Sequence, residues 1–192
     1  MKKFYLSTIA FFAFSCCYCQ TRGISFAGGV NWVGEHKLNG IGYDFSAFFP
    51  LNKNSQFIHE IKTDFSYNTM PPNTTLTGYP KLQITCIEAD YRFGYDFGIV
   101  YFQIGAGINY NFVNGGINVN DKIILPDGKT SYNSFKNVSG IGIGLNIGLG
   151  VYIIPKLAIY AEYSAQSIFG KAETSWGGLR FGLRYFPWRV KD

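Results

Sequence analysis

Several things are scarce in this chain. Charged residues make up 15% of its 192 residues, against roughly 25% in soluble domains. That is too little charge to coat a soluble domain of this size. Past residue 20 no apolar run reaches the roughly 20 residues of a membrane-spanning helix, so a bundle of such helices is excluded. Cysteine is confined to Cys16, Cys17, Cys19 and Cys86. Only Cys86 lies past residue 20, so no disulfide can form within the remainder. With His36 and His59 the only histidines, a structural zinc site lacks ligands; neither a metal nor a cofactor is expected. Excess charge is also small. Taking Lys2 and Lys3 from the 17 Lys plus Arg leaves 15 against 12 Asp plus Glu, a net of +3, too mild to argue for a nucleic-acid partner.

What is abundant is aromatic side chains, at 18%, and glycine, at 23 residues. Lys2 and Lys3 precede the apolar run Phe4–Phe14 and then small residues and cysteines up to Gln20. This pattern reads as a secretory signal peptide over residues 1–20, leaving 21–192 as one domain. Ala13, Phe14 and Ser15 before Cys16 weakly resemble a lipoprotein cleavage box; an ordinary signal end explains them more simply.

The stretch Gly140–Tyr152, GIGIGLNIGLGVY, organises the rest. Ile141, Ile143, Leu145, Ile147, Leu149 and Val151 alternate with glycine, Asn146 and Tyr152 without a break. Period two is the signature of a strand, whose successive side chains point to opposite faces. A helix would scatter this pattern around its circumference, and each glycine would cost it about 1 kcal/mol relative to alanine. The glycine spacing does not match a dinucleotide-binding GxGxxG motif. A soluble strand would carry Lys, Glu or Thr on its polar face, not glycine.

The same alternation recurs along the chain. Strands are expected at about 22–33, 38–49, 56–68, 82–93, 99–112, 140–152, 157–166 and 178–185. In the third, Phe57, His59, Ile61, Phe65 and Tyr67 oppose Glu60, Lys62, Asp64, Ser66 and Asn68. In the fourth, Ile87, Ala89, Tyr91 and Phe93 oppose Glu88, Asp90 and Arg92. Its first half, with Leu82, Ile84 and Cys86 in phase with the charges, suggests a bulge. The link 113–136 carries its own hairpin signal, KIIL-PDG-KTSY. No helix is expected.

Eight strands put both chain ends at one rim. The links Pro50–Ser55, Gly94–Gly98 and Ile154–Lys156 are short; those at 69–80 and 113–136 are long, and 168–175 is moderate. Outer-membrane barrels have short periplasmic turns and longer outside loops, and this parity fits, apart from the short first link GEHK at 34–37. The expected fold is an all-β, eight-stranded antiparallel up-and-down transmembrane barrel in the bacterial outer membrane. A lipocalin-type barrel would put the apolar residues inside. The glycine-rich polar face suits a crowded interior instead, and Trp32, Phe49, Phe57, Tyr67, Phe93, Tyr110, Tyr185 and Trp188 near strand ends suit interfacial girdles. The interior then holds Asp44, Glu60, Lys62, Asp64, Glu88, Asp90, Arg92, Glu162, Arg180 and Arg184. Eight strands enclose just enough space for side chains to fill, and buried charges require partners, so an interlocked polar core is expected.

On the strand-six repeat, the Phe48-Phe49-Pro50 turn and the ending GLRFGLRYFPW, the sequence resembles the small OmpA/OmpX-type outer-membrane barrels. Within them it looks most like the compact outer-membrane beta-barrel domain proteins that include the PorT family. The ending, with Gly178, Phe181 and Leu183, resembles the signal such barrels present to the insertion machinery, though it continues to Asp192 instead of stopping at an aromatic residue. These motifs concern architecture and identify no activity. The resemblance implies outer-membrane lipid and the insertion machinery as partners.

Some eight-stranded barrels are lipid-modifying enzymes that use His with Ser or Asp near the membrane surface. Here His36 sits in a loop beside Glu35, and His59 faces lipid near the periplasmic end of its strand; neither suggests a catalytic set. The expected function is non-enzymatic: a structural, surface-interaction or secretion-associated barrel. A lipid-modifying acyl hydrolase or acyltransferase, or a narrow channel, are the alternatives. The link 113–136, with Ile117, Val119, Ile123 and Ile124 among polar residues, is the candidate docking segment for an envelope or surface partner.

Overall fold

The structure, a computed structural model, describes residues 23–33, 38–52, 56–71, 81–116, 122–128, 130–132, 135–170 and 174–187. Residues 1–20, read above as a signal peptide, and His36, Ile117, Val119 and Trp188 lie outside the described residues. Among the described residues the strands are β1 (Gly23–Val33), β2 (Leu38–Pro50), β3 (Phe57–Met70), β4 (Leu82–Asp96), β5 (Val100–Gly115), β6 (Lys122–Ile124), β7 (Thr130–Tyr132), β8 (Phe135–Ile154), β9 (Leu157–Ile168) and β10 (Thr174–Tyr185). Eight of them close into a barrel in the order β1-β10-β9-β8-β5-β4-β3-β2. All neighbouring pairs are antiparallel, and β1 seals the barrel by pairing Ile24 with both Tyr185 and Ala47. Closure removes the sheet edges that an open antiparallel sheet would expose. β6 and β7 form a separate two-stranded hairpin between β5 and β8. Its turn is closed by the Gly128 N–H donating to the Leu125 carbonyl at 2.9 Å, with Gly128 at φ 77°.

The alternation sorts side chains by face. Along β8, Ile141, Ile143, Leu145, Ile147, Leu149 and Val151 are 46–63% exposed, while Gly142, Gly144, Asn146, Gly148 and Gly150 are buried. Ile24, Phe26, Val30, Ile41, Tyr43, Ile104, Ile108, Ile159, Phe181 and Leu183 extend this exposed apolar surface around the circumference. A continuous apolar wall of this extent is not stable against water; with the charged side chains turned inward, it is the lipid-facing wall of a transmembrane barrel.

One expectation is corrected. β4 carries no bulge: its ladders to β3 and β5 run without a register shift from Leu82 onward. Leu82, Ile84 and Cys86 share the phase of Glu88 and Asp90 because they point into the barrel, where they are buried. The register shifts instead between Val113 and Gly115, where β5 meets β8, and between Tyr152 and Ile154, where β8 meets β9.

The glycines of β8 give way to particular neighbours. A Cβ on Gly150 would stand 2.2 Å from the Tyr101 ring, which is itself buried against Tyr152 and Phe186. A Cβ on Gly148 would meet nothing closer than a Glu162 oxygen at 3.7 Å, an ordinary contact. Gly150→Ala is therefore expected to destabilise the barrel by about 1–3 kcal/mol through overpacking. Gly148→Ala is expected to be neutral or stabilising, since alanine restricts the unfolded chain. Thermal or urea unfolding of the two variants, side by side in lipid vesicles, checks the ordering.

Candidate functional site: the filled barrel interior

Inward-facing residues form three layers. At the rim where β1 begins and β10 ends, Tyr101, Ala158, Tyr160, Phe186 and Ala27 pack together, with Ile58 and Tyr152 against them. At the opposite rim, Val33, Met70, Leu82, Ile84, Cys86, Val113, Ile168 and Trp176 make a second apolar cluster. Between these caps lies the charged layer. Cys86 is a free thiol buried in the second cap.

Asp44 (β2), Glu60, Lys62 and Asp64 (β3), Glu88, Asp90 and Arg92 (β4), Glu162 (β9) and Arg180 and Arg184 (β10) are all buried. Period two on each strand turns them inward, and the stagger of the closed barrel brings together residues far apart in sequence. Glu162 is the central acceptor. One of its oxygens takes Lys62 Nζ at 3.0 Å and the other takes Arg92 Nη1 at 2.6 Å. Arg92 Nε also donates to Asp90 at 2.8 Å. Arg180 donates to Asp44 at 2.8 Å and lies 3.6 Å from Asp64. Asp64 further accepts from Ser46 at 2.8 Å and faces Lys62 at 3.9 Å. Arg184 donates to both Glu60 oxygens, at 2.7 and 2.6 Å, and to Gln103 at 2.9 Å, while Gln103 donates in turn to Glu60 at 2.7 Å. The Arg184 guanidinium also stacks 3.4 Å from the centre of the Phe48 ring, a cation–π contact strengthened by desolvation.

Glu88 differs from the other acids. Its oxygens accept from Asn146 at 3.0 Å and Gln166 at 2.8 Å, both amide donors. Gln166 in turn accepts from Asn109, so an amide relay links β4, β5, β8 and β9. Each of the four buried cations has a carboxylate partner. The layer is paired in charge, while Arg92 Nη2, Arg180 Nε and Nη2, Arg184 Nε and Asp90 Oδ1 are buried with no hydrogen-bond partner among the described residues.

Sequence reasoning missed Phe48, Met70 and Trp176 as interior residues. They are large, apolar or aromatic, and buried, yet each stands in the phase of the charged residues of its strand. Phase was the signal that could have found them.

Among the described residues, His59 is the one candidate catalytic histidine that can be placed. His59 faces outward near the terminal rim, where its Nδ1 lies 2.6 Å from the Tyr91 hydroxyl and its ring stands edge-on to Phe93. It is part of an aromatic girdle with Phe57, Phe93 and Tyr95. Among the described residues, no group of three His, Cys, Asp or Glu side chains could hold a metal ion. On the β6–β7 hairpin, Ile123, Ile124 and Leu125 are exposed, Ile124 by 71%.

No known family pattern matches the sequence, and no curated protein matches it. Solved structures do resemble the fold. Neisserial surface protein A superposes with a TM-score of 0.58 at 17% identity, over 85% of this chain and 94% of that one. Ail, the attachment invasion locus protein of Yersinia pestis, solved in complex with the heparin analogue sucrose octasulfate, gives 0.52 at 13% identity, over 85% and 94%. The outer membrane enzyme PagL gives 0.50 at 12% identity, over 85% and 98%. At these identities the likeness is one of fold, and the fold hosts both surface proteins and an enzyme, so it does not decide activity. The PorT likeness rests on sequence motifs alone. The chain folds as a small eight-stranded barrel of the outer-membrane, OmpA/OmpX-like type.

Proposed function

We propose that this protein is a non-enzymatic integral protein of the bacterial outer membrane, closed to ions, whose work is done at its outer loops as a structural, surface-interaction or secretion-associated component. The closed interior carries this reading. A charged layer in which Lys62, Arg92, Arg180 and Arg184 each meet a carboxylate, between two apolar caps, supports it. The exposed Ile123, Ile124 and Leu125 on the β6–β7 hairpin support the segment 113–136 as the place where an envelope or surface partner docks. The ending GLRFGLRYFPW supports recognition by barrel-insertion machinery during assembly. Short links at the terminal rim support a periplasmic location for both ends.

In planar bilayers the purified barrel is expected to give no conductance steps; reproducible steps would replace this reading with the channel. Overexpression is expected to leave the membrane lipid profile unchanged. A new lipid species, lost in His36→Ala or His59→Ala, would make the protein an enzyme.

A further inference from the structure

Near the loop rim, the lipid-facing wall is interrupted by a groove of about 270 Å³. Its floor is made of small outward residues: Ala165 and Ser167 on β9, and Ser175 and Gly177 on β10. The pairing sets these four in two rows, Ser167 opposite Ser175 and Ala165 opposite Gly177. On one side the floor is walled by Ile143 and Leu145 of β8, which pair with Ser167 and Ala165. The other wall is the Trp32 indole of β1. Trp32 reaches across β10 to meet the Tyr163 ring at 5.9 Å between centres, and it covers Gly177, where a Cβ would stand 3.5 Å from its Nε1. Tyr163 sits one row further from the loop rim, level with Leu179. The groove is therefore closed on the side of the membrane centre and runs toward the loop rim.

We infer that this groove holds one acyl chain of an outer-leaflet lipid. The inference rests on the membrane reading above. It is continuous with the lipid-facing wall, so the groove is bathed in acyl chains and not in water. Small residues on four neighbouring outward positions leave a depression that no side chain among the described residues fills. Closure at Tyr163 and opening toward the loop rim fit a chain that descends from the outer headgroup layer with its methyl end against the tyrosine. A lipid of the opposite leaflet would enter from the closed end. Trp and Tyr are residues that settle at the membrane interface, and here they form a rigid clamp. Among the described residues lining the groove there is no histidine or carboxylate beside Ser167 and Ser175.

Native mass spectrometry of the barrel extracted in mild detergent tests this. Wild type is expected to carry one lipid per barrel, and Ala165→Leu, which fills the floor, to lower that occupancy about tenfold. Ala89→Leu, on the outward face of β4 away from the groove, is expected to retain the lipid. Trp32→Ala, which removes a wall, provides a second variant and is expected to lose it. A wild-type barrel that folds and carries no lipid, or an Ala165→Leu barrel that carries as much as wild type, overturns the inference while leaving the membrane reading intact. A protein that neither extracts with membranes nor folds in detergent overturns that reading itself.

Discussion

Glu162→Ala is expected to destabilise the barrel by about 3–5 kcal/mol, the cost of breaking a buried ion pair from one side. Both oxygens of Glu162 are in use, one by Lys62 and one by Arg92. After truncation Lys62 keeps only Asp64, at 3.9 Å, and Arg92 keeps only Asp90. Two cations would share a low-dielectric interior with two bridges fewer. A cavity would open in the same place, adding to the loss. Glu88→Gln is the informative comparison. Glu88 is held by amides, and the layer contains six acids against four bases, so neutralising this carboxylate leaves no cation unpaired. One of its two amide donors would then face the glutamine NH2, so that variant is expected to cost about 1–2 kcal/mol, still less than Glu162→Ala. Urea unfolding in vesicles, monitored by tryptophan fluorescence, separates the two. Equal costs would mean that the charges are not paired as the geometry has them.

Gly144→Leu is expected to prevent most of the protein from reaching the folded form, while Ile143→Leu folds like wild type. These positions are neighbours in sequence and opposite in environment. A Cβ on Gly144 would stand 2.2 Å from Glu88 Oε1 and 2.6 Å from Gln166 Oε1, and a leucine would have to displace the whole amide relay. Ile143 is 53% exposed on the lipid side, where one branched alkyl group replaces another with a change within about 0.5 kcal/mol. The folded fraction is read from the mobility difference between unboiled and boiled samples on a denaturing gel. Comparable folded fractions for the two variants would show the faces to be assigned the wrong way round.

The strands, their faces and their parity were legible because period two is a local property and the two environments differ sharply. Gly140–Tyr152 shows this in its purest form. What resisted was any feature that depends on how strands are staggered around the barrel. Lys62 and Glu162 are 100 residues apart, and nothing in either segment names the other. The acids and bases could be assigned to the interior, but not matched. The apolar caps resisted for a different reason. Leu82, Ile84 and Cys86 stand in phase with Glu88, and an interior assumed to be polar from end to end turned that phase into a bulge. An interior that changes from charged to apolar toward both rims explains the same residues without one. The acyl groove left no linear trace at all, since its walls come from β8 and β1 and its floor from the two strands between them.

The central claim is that the wall bearing Leu145, Ile147 and Leu149 faces lipid. Its most direct test is nitroxide labelling at these positions, one at a time, through Leu145→Cys, Ile147→Cys and Leu149→Cys in a Cys86→Ala background, with the barrel reconstituted in vesicles. The account predicts that all three labels relax strongly with molecular oxygen, which partitions into the bilayer, and weakly with a water-soluble nickel chelate. Strong relaxation by the nickel chelate at all three would contradict it, because that result belongs to a wall that faces water.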